Sequence, residues 1–258
     1  MHSLLLMIQF MTRYPVSGKI EFTAQHFIKG MKWMPLVGLL VGIPASLVVF
    51  FAEPLLGKPL ASIFAIIMLI VVTGGLHLDG IGDTADGLFS YRSPEEMLRI
   101  MRDSTLGTNG VIAIILIILL QYLTVSAMPA KMAALALLAA PMMGRMAITW
   151  HAAVAPYARK EPGLGEFVNQ TGIRQAAGAT FFSMVILAAL LAVWSPLWWN
   201  LILLFFLLHL VVIVMAILFA RYLIRIIGGI TGDTIGATIE LCETVVLLLI
   251  FLFWKHIL

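Results

Sequence analysis

Seven long apolar windows, near 36–53, 59–74, 110–128, 132–150, 176–194, 198–220 and 235–254, decide most of what this chain can become. A helix needs about 20 mostly apolar residues to cross the roughly 30 Å hydrocarbon core of a bilayer. Inside that core every backbone N–H and C=O must be satisfied within the protein, which leaves helices or closed barrels. Windows of this length point to helices. With 62% hydrophobic and 11% charged residues, the chain lies far from the roughly 45–50% and 25% of soluble domains. The expected fold is therefore all-α: a polytopic integral membrane helical bundle of about seven transmembrane helices with short cytoplasmic or interfacial helices, one membrane domain over 1–258. The lone Cys242 excludes an intrachain disulfide and reads as packing. The opening MHSLLLMIQFMTRYPV has neither a basic n-region nor a small-residue cleavage site, and reads as a retained segment on the membrane surface. PLWWN at 196–200 reads as an interfacial aromatic anchor.

Alternate loops differ in charge. One set, comprising the N-terminal segment and the loops over 75–109, 151–175 and 221–234, holds twelve Lys and Arg; the other holds Lys58, Lys131 and Lys255. The positive-inside rule puts the first set, and the N-terminus, in the cytoplasm. The basic excess thus reports orientation and gives no ground for nucleic-acid binding. Asp79, Asp83, Asp86, Glu95, Glu96, Asp103, Glu161, Glu166 and Asp233 fall on that same side, opposite Glu53. Acids barely influence topology, so this asymmetry needs another cause, and a cytoplasmic active site supplies one.

The acids have structure of their own. In GGLHLDGIGDTADGL, residues 74–88, Asp79, Asp83 and Asp86 are spaced i, i+4, i+7 and fall within about 60° on a helix. Bare, such carboxylates repel one another; a hard dication (Mg²⁺, Ca²⁺ or Mn²⁺, not Zn²⁺) removes the conflict. Mg²⁺ commonly uses one or two carboxylates plus substrate phosphates, so the cluster hints at a phosphate-bearing substrate. His77 lies in the same stretch. Downstream, Ser93 and Glu96 form a capping-box pattern around Pro94 and predict a short interfacial helix over about 94–103. DSTLGTNG then breaks it, and Asp103, Ser104 and Asn109 are placed to reach a metal or a phosphate. In GGITGDTIGATIELCE, residues 228–243, Asp233, Gly236, Glu240 and Glu243 share a helical face of about 80°, which could bring a second set of oxygens to the first. Arg145, inside a window, must pair with an acid or an anionic substrate. Arg159 and Lys160 stand beside a glycine-rich turn, and arginine grips phosphate through its planar fork. No P-loop and no Ser-His-Asp or Cys-His pattern is present. Together these residues indicate metal-assisted phosphoryl chemistry, where positioning and charge neutralisation do most of the work, with one aspartate or His77 accepting a proton.

GGLHLDGIGDTADGL closely resembles the signature of the membrane-bound cobalamin synthases, the adenosylcobinamide-GDP ribazoletransferases. The likeness continues through MRDSTLGTNG at 101–110, GR at 144–145, PYARKEPGLGEF at 156–167 and GGITGDTIGA at 228–237, in order over nearly the whole chain. The resemblance implies attack of a ribose hydroxyl of α-ribazole, or of its 5′-phosphate, on adenosylcobinamide-GDP, with GMP leaving and adenosylcobalamin or its 5′-phosphate formed. It implies Mg²⁺ as cofactor and a multi-pass protein of the cell (inner) membrane. Carried over by position, it offers Asp79, Asp83 and Asp86 as metal ligands, and these three with His77 and Asp103 as catalytic candidates. Arg102, Asn109, Arg145, Arg159, Asp233 and Glu240 become candidate substrate contacts. Partners would be the corrinoid-GDP, α-ribazole and the lipid bilayer, with a homo-oligomer or association with other cobalamin-assembly enzymes compatible with this reading. Two alternatives stand beside it. A phosphotransferase of CDP-activated alcohols also uses spaced aspartates, but has Ala-Arg where Ile81-Gly82 follow Asp79-Gly80. A cation or proton transporter would use Glu240 and Glu243, and would spread its acids through the membrane depth.

Overall fold

The computed structural model describes residues 2–16, 18, 20–160, 167–194 and 198–256. Among these, eleven helices run in the order α1 (His2–Met11), α2 (Ala24–Met31), α3 (Met34–Leu56), α4 (Lys58–Thr73), α5 (Leu76–Leu88), α6 (Pro94–Ile100), α7 (Thr108–Ser126), α8 (Ala130–Val154), α9 (Ile173–Trp194), α10 (Trp198–Ile227) and α11 (Gly232–His256). Six of them, α3 and α7 through α11, are long and apolar enough to cross a membrane alone. The sixteen residues of α4 qualify only together with α5, from which α4 is bent by 89°. Every apolar window is thus a helix, and the bent pair completes the seven. Past Lys58, α4 carries no charge, and it is the leg within the bilayer; α5, with three aspartates and three glycines, lies across the end of the bundle.

Helix α8 is the central post, buried along nearly its whole length. Its small residues let neighbours approach closely. Gly38 of α3 faces the Pro141 carbonyl and the Met142 Cα, and Gly42, one turn on, faces the Leu137 carbonyl; a Cβ at either position would meet that backbone. Such small-xxx-small contacts give van der Waals packing where no hydrophobic drive exists between helices in lipid. Polar pairs add to it: Trp150 Nε1 donates to Thr180 Oγ1 (2.9 Å), tying α8 to α9, and Ser183 meets His209 Nε2 (3.0 Å), tying α9 to α10. Outward, Leu47, Phe51, Phe64, Leu116, Phe181, Phe206 and Leu218 are exposed and form the lipid-facing surface of their helices. Cys242 is buried, as expected.

The short elements differ in detail from expectation. Helix α6 stops at Ile100, short of 103. Ser93 Oγ does accept from the Glu96 amide (3.4 Å), but the Glu96 carboxylate is bound to the Arg99 guanidinium (Arg99 Nε to Oε2, 2.9 Å) and does not complete a reciprocal box. Helix α2 was unforeseen; it begins on Thr23, whose hydroxyl accepts from the His26 amide, and packs with α1. Of the supposed aromatic anchor at 196–200, residues 196 and 197 lie outside the described residues. So does the glycine-rich turn at 161–166.

Candidate active site at one end of the bundle

Two consecutive glycines make the corner on which the site depends. Gly74 (φ 67°) and Gly75 (φ 74°) both sit in the left-handed region, where a side chain is strained and glycine is not. Gly74 closes α4 by donating to Ile70 and Val71, and Gly75 opens α5. Arg13, after α1, lies against Gly74 where a Cβ would otherwise be, and its amide donates to the Val72 carbonyl (2.7 Å). The corner swings α5 over the starts of α7 and α11, and its glycines receive them. Gly80 faces the Asp233 carbonyl and the Gly236 Cα, at 2.7 and 3.2 Å from where its Cβ would stand.

The three aspartates of α5 take different places. Asp86 accepts from the amides of Gly107 (2.7 Å) and Gly110 (2.9 Å), one with each oxygen. Gly107 caps α7, so a carboxylate from another helix satisfies N–H groups that α7 leaves orphaned and meets the positive end of its dipole. Asp83 is pushed up to about 7 by burial and by the charges of Asp79, Asp233 and Asp86, against which Arg159 is the opposing charge. Asp79 and Asp233 line one cavity. Asp233 sits in the first turn of α11, whose start is fixed by a reciprocal pair: Thr231 Oγ1 accepts from the Thr234 amide and Thr234 Oγ1 from the Thr231 amide (3.2 and 2.8 Å).

Arg159 reaches Asp233 at 2.8 Å because the chain after α8 is pinned to the chain before α11. Tyr157 and Ile230 form an isolated parallel bridge, with Ala158 N–H donating to Ile230 and Ile230 N–H to Pro156 (2.8 and 2.9 Å). Carboxylates from two helices and a guanidinium from a third segment therefore converge at the end where α4, α8 and α10 finish and α7 and α11 begin.

Of the two sets of acids on α11, only Asp233 joins this group. Glu240 and Glu243 lie about two and three turns deeper, within the bundle. There Arg145, fully buried, donates to Glu243 Oε1 (2.8 Å) and to the Pro141 carbonyl (3.1 Å). Glu240 accepts from Gln121 Nε2 (3.1 Å), which also donates to Thr244. Arg145 is thus enclosed among helices α5, α8 and α11, clamping them together and not facing the bundle end. His77 Nδ1 lies 3.4 Å from Arg145 Nη2. A guanidinium only donates, so Nδ1 must be the acceptor and the proton sits on Nε2; that atom is buried without a partner. Asp103 is exposed and accepts from the Thr105 amide (2.9 Å) as a turn residue. Arg102 is exposed and Asn109 half-buried on the first turn of α7. Among the described residues no three His, Cys, Asp or Glu side chains form a cage that could hold an ion by themselves. The sequence reading missed Gln121, the Gly107 and Gly110 amides and the Thr231–Thr234 cap; only the last carried a signal, a Thr three residues from a Thr ahead of an apolar run.

Among the described residues, two of the cavities at this end adjoin the acidic group. One, of about 250 Å³, is lined by Phe10, Phe27, Met31, Met34 and Ile148 together with Asp79 and Asp233. The other, of about 880 Å³, is lined by Arg99, Arg102, Arg159, Lys160 and Arg225, with Tyr157 and Glu95.

Fold and site together define a polytopic helical membrane protein with a carboxylate-rich pocket and a basic groove at one end, the form of a membrane enzyme acting on an anionic substrate. Comparison with known proteins narrows that class. The family model for cobalamin-5-phosphate synthase matches residues 3–251, and the chain belongs to that family. It is 36% identical to the adenosylcobinamide-GDP ribazoletransferase of Alkaliphilus oremlandii, covering 98% of each chain. It is 37% identical to that of Acetivibrio thermocellus over 97% of each, and 38% identical to that of Escherichia coli over 94% of this chain and 96% of the relative. No solved structure matches.

Proposed function

We propose that the chain is an adenosylcobinamide-GDP ribazoletransferase, joining adenosylcobinamide-GDP to α-ribazole or its 5′-phosphate with release of GMP. Membership of the family supports the reaction. The observation that carries the site is the convergence of Asp79, Asp83 and Asp233 with Arg159 at one end of the bundle. A ribose hydroxyl attacks the phosphorus next to the cobinamide, its proton passes to a pocket carboxylate, the P–O–P bond breaks and GMP departs. Such transfers need the two oxygens in line and the growing charge neutralised. Arg159 supplies part of that neutralisation, held on Asp233 so that its fork is already oriented. The residues fit Mg²⁺: burial raises the Asp83 pKa and the crowded carboxylates of Asp79, Asp233 and Asp86 raise it further, and that crowding is what a dication relieves; Mg²⁺ makes up an incomplete protein shell with water and phosphate oxygens. Asp79 and Asp83 would hold it. When bound, the ion would neutralise diphosphate oxygens. Asp86 positions α5 on α7 through the two amides it accepts from.

The loop charges favour a cytoplasmic active site in the cell (inner) membrane. Association with a second copy or with other cobalamin-assembly enzymes belongs to the same reading, and crosslinking in native membranes tests it. A transport role would leave acids uncompensated along a path through the membrane; Glu240 and Glu243 are instead bound to Gln121 and Arg145. The deciding experiment gives the purified protein in lipid both substrates, with and without Mg²⁺, and follows GMP and the corrinoid product. Formation of cobalamin that stops with EDTA and with Asp79→Asn supports the reading; no GMP from the wild type refutes it.

A further inference from the structure

We infer that the two cavities are separate half-sites for the two substrates, with the Arg159–Asp233 ion pair as the partition between them. The inference rests on the transferase reading. The basic groove takes the guanosine-diphosphate end of the donor, and the apolar cavity takes the aromatic base of the acceptor.

The partition comes from the lining residues. Asp233 lines the apolar cavity, Arg159 lines the basic groove, and they touch each other at 2.8 Å. One wall therefore serves both chambers. Its two faces differ in chemistry. Among the described residues, the groove is lined by Arg99, Arg102, Arg159, Lys160 and Arg225 beside the acid Glu95, with Arg99 paired to Glu96; these come from α6 and the turn after it, the chain after α8 and the last turn of α10. A diphosphate esterified at both ends still carries one negative charge on each phosphate, and the carboxylates of α5 would repel it without such a counterweight. Guanidinium forks and an ammonium are the groups that bind phosphate oxygens. The buried Nε–H of Arg159 has no partner, so the guanidinium at the partition retains an unspent donor. The groove, about 880 Å³, falls in the size range of ligand sites, roughly 300–1,000 Å³.

The apolar cavity has the opposite character. Phe10, Phe27, Met31, Met34 and Ile148 give it an apolar lining, to which His77, Asp79 and Asp233 add polar groups. Aromatic and thioether side chains suit a flat aromatic ring, and at about 250 Å³ the chamber has room for a substituted benzimidazole but none for a nucleoside diphosphate. A base lodged against the apolar lining leaves its ribose toward the polar groups, beside Asp79. The phosphorus bound in the groove lies across the Arg159–Asp233 pair. In-line displacement needs the hydroxyl within about 3–3.5 Å of the phosphorus, so the two half-sites meet past the edge of that pair, beside the carboxylates.

The proposal predicts simultaneous occupancy. With the wild type in lipid, GMP and 5,6-dimethylbenzimidazole, measured by equilibrium dialysis, bind without competing. Lys160→Ala with Arg225→Gln, both exposed residues, weakens GMP binding and raises the KM for adenosylcobinamide-GDP by roughly tenfold, the equivalent of about 1.4 kcal/mol, while the KM for α-ribazole and the affinity for the benzimidazole hold. Ala152→Leu, which adds bulk to the wall of the apolar cavity, does the reverse, with a thermal melt confirming that the variant is folded. Competition between the two probes overturns the proposal. So does a groove variant that raises the KM for α-ribazole 5′-phosphate and leaves that for the donor unchanged, since the groove would then hold the acceptor's phosphate. If the wild type makes no cobalamin, the transferase reading fails, and the dialysis result still decides whether the two half-sites exist.

Discussion

The crossing of α5 over α11 is the contact on which the site's geometry most depends; Gly80 and Gly236 lie in it, and Gly82, which faces α7 instead, is its control. A Cβ on Gly80 would stand 2.7 Å from the Asp233 carbonyl oxygen, about 0.7 Å inside ordinary contact. That oxygen is backbone in the first turn of α11, and the Gly236 Cα behind it is also backbone, so nothing flexible can yield. A Cβ on Gly236 meets Gly80 and His77 at 3.3 Å, which needs only a few tenths of an ångström. A Cβ on Gly82 meets the Cδ1 ends of Ile114 and Leu106 at 3.0 Å, and those rotate away. Replacing a mid-helix glycine by alanine itself gains about 0.5–1 kcal/mol. Gly82→Ala should therefore be neutral or slightly stabilising, Gly236→Ala near neutral, and Gly80→Ala destabilising by about 1–3 kcal/mol of overpacking less that gain. The functional effect should be larger than the thermal one. Parting α5 from α11 moves Asp79 and Asp83 away from Asp233 and Arg159, and a misplacement approaching 1 Å costs on the order of a hundredfold in rate. Scanning fluorimetry in nanodiscs and GMP release, run on all three variants, give the two readouts. Activity lost in Gly82→Ala and kept in Gly80→Ala would refute the crossing as the element that sets the site.

Asp86→Ala strands the Gly107 and Gly110 amides at the start of α7 and should cost about 1–3 kcal/mol for each buried donor left unpaired; a melting temperature equal to that of the wild type would show that water replaces the carboxylate freely. Arg145→Met leaves Glu243 charged and unpaired inside the bundle, at about 3–5 kcal/mol, whereas Arg145→Met with Glu243→Leu should recover most of it, because breaking a buried pair costs more than removing both partners. A double variant as unstable as the single would mean that Arg145 acts through its bonds to Pro141 and His77. Mg²⁺ should raise the melting temperature of the wild type and fail to raise that of Asp83→Asn; equal shifts in both would place the ion elsewhere.

The fold was legible because the bilayer enforces it: a chain with seven apolar windows has few ways to satisfy its backbone, and each window became a helix. The site was legible in residue type and only partly in place. Asp79, Asp83 and Asp233 share an end of the bundle, yet a shared helical face on α11 did not bring Glu240 and Glu243 to it. A helical face records direction around an axis and says nothing of depth along it, and about 10–15 Å of rise separates those glutamates from Asp233. Depth decides their chemistry. At the bundle end a carboxylate can keep its charge for a cation or a phosphate; within the bundle it must be matched, and Arg145 and Gln121 do the matching from helices far away in sequence. Spacing could not reveal that Asp86 serves α7, since its partners are backbone amides that every residue carries. The corner at Gly74–Gly75 was similarly hidden. Two adjacent glycines signal freedom, and only the packing of Arg13 and α11 shows that the freedom is used to turn α5 by 89°. Without that turn α5 would continue along α4 and carry three aspartates out of the bundle end; with it, the carboxylates lie across that end, against a guanidinium from the chain after α8. The reactive arrangement is thus a product of one sharp bend, and the inner ion pair holds α8 and α11 together beneath it.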